Sequence, residues 1–210
     1  MFDNASNKTL MTTGCVKDYF YQSLNKVCER RSTDASDSSL AYIVNLLDQY
    51  VRVDQLFEWN QDTGYGLQPL ALMYGEAVNA RDEQHRISAL RRLGDIALFI
   101  SGLFVTSLVR KPVDVNYYIK MGGGAYGWLS ESLQRQSRSS LNPEVFRELS
   151  QQFGEFVGVL DEFADTSSLR SDKDMLKLYE DWLSSNDPAT ASKLSQTSVA
   201  SNGTEKNLIH

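Results

Sequence analysis

Apolar residues recur at three- and four-residue steps along most of the chain, the period of a helix with one face turned inward. Val16, Tyr19, Phe20, Leu24 and Val27 keep that step and predict a first helix over 13–31. The polar stretch 32–37 interrupts it, and Ser36 or Asp37 supplies an oxygen to cap the next helix. Leu40, Ile43, Val44, Leu47, Tyr50 and Val51 share one face of that second helix, which the spacing carries to about Trp59. Residues 60–66 are turn formers and read as a loop. Pro69 suits the first turn of a third helix through Leu72, Met73, Glu76 and Ala77. A fourth helix spans 83–108, polar at its start and apolar on nearly all sides at its end, before Pro112 ends or redirects the chain. A fifth covers 114–136.

Asn142, Pro143 and Glu144 then give a helix start: a cap, a proline at the first helical position and an acid at the positive end of the dipole. The helix that follows carries Phe146, Leu149, Phe153, Phe156, Val157, Leu160 and Phe163 on one stripe. Ser171 and Asp174 open a last helix bearing Met175, Leu178, Tyr179, Trp182 and Leu183. No credible run of alternating strands and no internal repeat is present. The pattern predicts an all-α protein, a single-domain helical bundle of about six to seven helices with a buried central helix. The domain would cover 13–185, after a flexible N-terminus over 1–12. The Ser-, Thr-, Ala- and Asn-rich stretch 186–210 cannot offset its ordering entropy and reads as a disordered tail.

Composition narrows the partners. Of 210 residues 41% are hydrophobic and 23% charged, and the net charge is -6, which argues against a protein that coats nucleic acid or an anionic membrane. Residues 1–14 contain no apolar core of a signal peptide. The apolar stretch 96–109 is too short and too interrupted to span a bilayer. The expected setting is therefore cytoplasmic, with Cys15 and Cys28 as free thiols. Two histidines and two cysteines are too few for a zinc site, and no Glu-x-x-His motif exists for a di-iron bundle. No cofactor, metal or catalytic residue is predicted, and the reading leans away from an enzyme. Arg81, His85 and Arg92 fall near one helical face, but Asp82 and Glu83 interleave with them, so a solvated face is expected.

The unusual region is 90–129. Asp95 stands at the entrance to an apolar helix, where a buried charge must be paired, and Arg91 or Arg92 one turn earlier can pair it. A structural ion pair is the favoured reading, with an acid held in a cleft as the alternative. Gly122, Gly123, Gly124 and Gly127 interrupt a helical pattern at about 0.8–1 kcal/mol each. Close approach of another helix, the one bearing Ser101 and Gly102, is favoured over a broken helix whose amides receive an anion. Asp114, Tyr117 and Tyr118 form either an interhelical corner or a pocket wall. Gly154 and Gly158 clear a stripe for a further neighbour.

The run Leu90-Arg91-Arg92-Leu93-Gly94-Asp95-Ile96-Ala97-Leu98-Phe99, with 100–104 and the Val113-Asp114-Val115-Asn116-Tyr117-Tyr118 and Ala125-Tyr126-Gly127 segments, resembles a family of uncharacterised proteobacterial cytoplasmic proteins. The resemblance extends to Tyr42-Ile43-Val44-Asn45-Leu46-Leu47 and Leu178-Tyr179-Glu180-Asp181-Trp182, and covers roughly 16–183. It implies a helical fold and transfers no activity, cofactor or catalytic residue. Two functions are expected to compete. The leading one is a non-enzymatic protein that binds a protein partner or self-associates, in a regulatory role. The other is a small-molecule or anion sensor, or a cryptic enzyme, using Arg91, Asp95, Ser101, Asp114, Tyr117, Tyr118 and Tyr126 around the glycines.

Overall fold

The computed structural model describes residues 5–50, 58–60, 64–66, 68–104, 114–136 and 140–167, with side chains described for 16–49, 68–104, 114–136 and 140–167. Seven helices lie among these residues: α1 (Ala5–Arg31), α2 (Asp37–Tyr50), α3 (Leu70–Val78), α4 (Glu83–Leu103), α5 (Val115–Arg135), α6 (Pro143–Gln151) and α7 (Phe153–Thr166). Their starts follow local chemistry. The Ser36 hydroxyl accepts the Ser39 amide, Asp82 accepts the His85 amide, Asp114 accepts the Tyr117 amide and Asn142 accepts the Glu144 amide. The fold is an all-α bundle, as the periodicity predicts.

The central element is α4, in which every residue from Leu93 to Leu103 is buried. It packs against α2, α3, α5 and α7, so the apolar-all-round half of the sequence pattern becomes the axis of the core. Small residues set how closely its neighbours come. A Cβ on Gly94 would collide with the Tyr126 ring of α5, and one on Gly102 would lie 2.5 Å from Leu160 of α7. A Cβ on Gly122 would meet both the Phe153 ring and, at 2.7 Å, the Ala97 methyl. The glycine-rich stretch is therefore continuous helix admitting α4 and α7, with no anion loop. The helix bearing Ser101 and Gly102 is thus the close neighbour expected, through Ala97, while Gly102 itself admits α7. Gly124 has open space around it, Gly154 likewise, and Gly158 lies under the Arg31 guanidinium.

Several boundaries differ from expectation. Helix α1 starts at Ala5, so the segment expected to be flexible over 1–12 is helical from that residue. Helix α2 ends at Tyr50, and Glu58–Asn60 (β1) pairs antiparallel with Gly64–Gly66 (β2), Trp59 opposite Tyr65. The β-propensity of Trp and Tyr between flanking turn formers favours that short ladder over a longer helix or a plain loop. The stripe from Phe146 to Phe163 is divided between α6 and α7 by Gln152, which has φ -110° and ψ 24° and donates its side-chain amide to the Asp34 carbonyl at 3.0 Å. The apolar stripe runs unbroken through this residue, so periodicity does not register the break. Residues 105–113, the expected last helix and the expected tail lie outside the described residues.

Candidate functional site

Asp95 is 5% exposed, buried one turn into the apolar half of α4. Three elements converge on it. Tyr42 from α2 and Tyr126 from α5 both donate their hydroxyls to Oδ1, at 2.5 and 2.7 Å. Arg91, one turn back on α4, places Nε 3.6 Å from Oδ2 and donates to the Tyr42 hydroxyl at 3.1 Å. Its guanidinium also lies 5.6 Å from the centre of the Tyr42 ring, a cation–π distance. Tyr126 is fully buried, edge-on to Tyr42 and flanked by Phe146 and Phe153.

Burial pushes the Asp95 carboxyl up to about 6, while the two tyrosine hydroxyls and Arg91 pull it back down. Burial and the adjacent carboxylate push the Tyr42 phenol well above its ordinary range, so it remains a donor. The aspartate is mostly ionised at neutral pH with its charge met on both oxygens. All its partners come from the chain itself. Three surface grooves formed by described residues are lined by other side chains, none by Asp95, Tyr42 or Tyr126. The arrangement braces α2, α4 and α5 together around the carboxylate.

A pH dependence follows with a definite sign. Below about pH 4 the carboxyl is protonated in both folded and unfolded chains, and its contribution to stability is fully present. As pH rises towards 6 the unfolded chain loses the proton and the folded chain keeps it, so stability falls. The loss should total about 3 kcal/mol, at about 1.4 kcal/mol per pH unit, and level off above about 6. Exposed carboxylates held low by their partners, such as Glu162 beside Arg30 and Arg31, act in the opposite direction. Denaturant titrations of wild type and Asp95→Asn between pH 4 and 7 isolate the term: the variant should gain on wild type across that window. A difference that does not change with pH would contradict it.

Of the residues singled out from sequence, Arg91, Asp95 and Tyr126 thus meet, and Tyr42 completes them from 53 positions away. The others go elsewhere. Ser101 is buried and donates to the Ala97 carbonyl of its own helix at 2.7 Å. Asp114 is an exposed cap, its carboxyl held low by the Asn116 amide and the Tyr117 amide N–H. Tyr117 and Tyr118 stack edge-to-face at 5.8 Å on the first turn of α5, about two turns from Tyr126. Asp114 thus caps its helix as the corner reading has it, and these three residues stand apart from the Asp95 cluster. Arg81, His85 and Arg92 do share one groove, together with Glu76 and Asn79, and His85 is held by Asp82 at 2.7 Å.

A second feature was not signalled by the motifs. Tyr74 and Ala77 of α3, Leu90 of α4 and Trp128 of α5 line a surface groove of about 260 Å³, rimmed by Arg86, Glu131 and Arg135. Trp128 is 46% exposed, and its ring lies 5.3 Å from that of Tyr74. Two residues after Tyr126 on a helix means about 200° of rotation, so burying Tyr126 turns Trp128 outward. That alternation was available in the sequence as a signal. Val78 beside it, also in the groove lining, is 54% exposed.

Among the described residues no helix is long and apolar enough to cross a membrane, and no three His, Cys, Asp or Glu side chains are grouped to hold a metal ion. Comparison with protein-family models, curated proteins and solved structures gives no match to this chain.

Proposed function

We propose that this protein acts without catalysis, by binding a protein partner through the groove between α3, α4 and α5. The observation that carries this reading is the exposed Trp128 stacked beside Tyr74 over the buried Leu90 and Ala77, with arginines at the rim. An aromatic anchor in a shallow apolar groove with a charged border is the chemistry of a binding hot spot. The groove is open and, at about 260 Å³, falls below the usual size of a small-molecule site, which favours a partner's side chains over a free ligand. The packed surroundings of Asp95 weigh against the sensor or enzyme alternative. The binding reading agrees with an acidic chain that has no patterned catalytic set.

A photo-cross-linking amino acid in place of Glu131 tests this in the cell. Adducts to a partner, a second copy included, are expected and should disappear with Trp128→Glu. Adducts that survive that substitution, or none at all, would overturn the reading.

A further inference from the structure

The apolar groove and a second apolar stripe, read from the sequence, occur in the same chain. Met175, Leu178, Tyr179, Trp182 and Leu183 are spaced to share one helical face, and the acids Asp172, Asp174, Glu180 and Asp181 around them outnumber Lys173 and Lys177. In the groove, Leu90, Ala77 and Val78 supply the apolar floor and Tyr74 and Trp128 the aromatic wall. Arg86 and Arg135 stand at its rim. Arg86 meets Glu83 at 3.5 Å and Arg135 meets the Ser132 hydroxyl at 3.4 Å, both at the long limit of such contacts. Both guanidiniums can therefore turn to an incoming carboxylate with little to give up. The acids of the stripe match them.

The position of α7 decides which copy supplies the stripe. Phe153, at the start of α7, lies against Gly122 beside Ala97, and Leu160 lies against Gly102. Helix α7 therefore runs in the same direction as α4 and ends beyond its C-terminal end. The groove is at the other end of α4, at Arg86 and Leu90. From Gly102 back to Arg86 is about 24 Å of helix, before the last turns of α7 are added. The chain from Ser167 to Met175 reaches about 28 Å at full extension, so a copy could fill its own groove only when drawn taut. A neighbouring copy meets no such limit. Val16 and Tyr19 of α1 are exposed and nearer, beside the Phe20–Phe163 contact, but their neighbour Lys17 is already held by Asp48 and Asn45.

From this we infer that the α3–α4–α5 groove receives the Met175–Leu183 stripe of a second copy of this chain, making a reciprocally exchanged dimer. The inference rests on the groove being a protein-binding site and names its occupant. Full-length wild type is expected to be dimeric by light scattering. Trp128→Glu, which spoils the groove, and Leu178→Glu with Trp182→Glu, which spoils the stripe, should each weaken the dimer at least about thirtyfold while leaving the far-ultraviolet spectrum unchanged.

The decisive step mixes the two variants. The stripe-spoiled copy keeps an intact groove and carries the cross-linker at position 131; the groove-spoiled copy keeps an intact stripe. An adduct between copies, mapped to residues 172–183, is expected. A monomeric wild type, a dimer indifferent to the stripe substitutions, an adduct within one copy, or no adduct in the mixture would each overturn the exchange. If wild type is monomeric while position 131 cross-links a different protein in cells, only this inference fails. If position 131 captures nothing in any setting, the groove reading fails with it.

Discussion

Tyr126→Ala is expected to remove about 4–5 kcal/mol of stability, enough to unfold much of the population of an ordinary domain. The side chain is fully buried and touches Tyr42, Phe146 and Phe153, and its ring fills the space that Gly94 leaves on α4. Truncation opens a cavity where three helices meet and strips Asp95 of one of its two hydroxyl donors. Tyr126→Phe separates these losses. It keeps the ring and should cost about 1.5–3 kcal/mol, the range for a hydrogen bond to a charged group. It should also raise the Asp95 midpoint further, since the hydroxyl is one of the groups holding it down. Urea melts of both variants, with the carboxyl followed by NMR, check the two parts. Equal losses for alanine and phenylalanine would mean that the ring does not pack as described.

The neighbouring glycines give the second large effect, and its sign changes within three residues. Gly122→Ala puts a methyl against the Ala97 methyl and the Phe153 ring, both anchored close to their backbones or wedged between helices. Overpacking of that kind costs about 1–3 kcal/mol, more than the roughly 1 kcal/mol that alanine gains in helix propensity. Gly124→Ala meets nothing within 4 Å and sits exposed in the interior of α5, so it should stabilise by about 1 kcal/mol. Thermal melts of the two single variants should move in opposite directions. Stabilisation by both would show that the close approach of α4 and α5 does not depend on the glycine at 122.

Helix periodicity made most of this bundle legible before any coordinates. The caps at Ser36, Asp114 and Asn142 were readable because each acts within three residues of its own helix. Asp95 with Arg91 was readable for the same reason, one helical turn apart. Tyr42 was not, because its contact crosses 53 positions and its own helix face gives no sign of a buried carboxylate. Ser101, Asp114, Tyr117 and Tyr118 stand apart from the Asp95 cluster because nearness along the chain does not translate into nearness across α4 and α5. The groove stayed hidden for a different reason. It depends on how far α3 stands off from α5, which no single helix encodes.

The ion pairs of Glu162 with Arg30 and Arg31 join the first helix to the last described one, across 132 positions in the case of Arg30. As exposed contacts they hold little by themselves, yet they mark a constraint on the order of events during synthesis. Helix α1 is synthesised well before α7, which brings the Phe163 ring that packs edge-on against Phe20. Until then, among the described residues, the apolar face of α1 packs chiefly on α2. The α4–α5 pair, close in sequence and locked by small residues, can assemble early, whereas closing the chain on itself must wait. A nascent chain halted before α7 is therefore expected to leave the Phe20 side of α1 without its α7 cover, the kind of exposed apolar surface that invites aggregation.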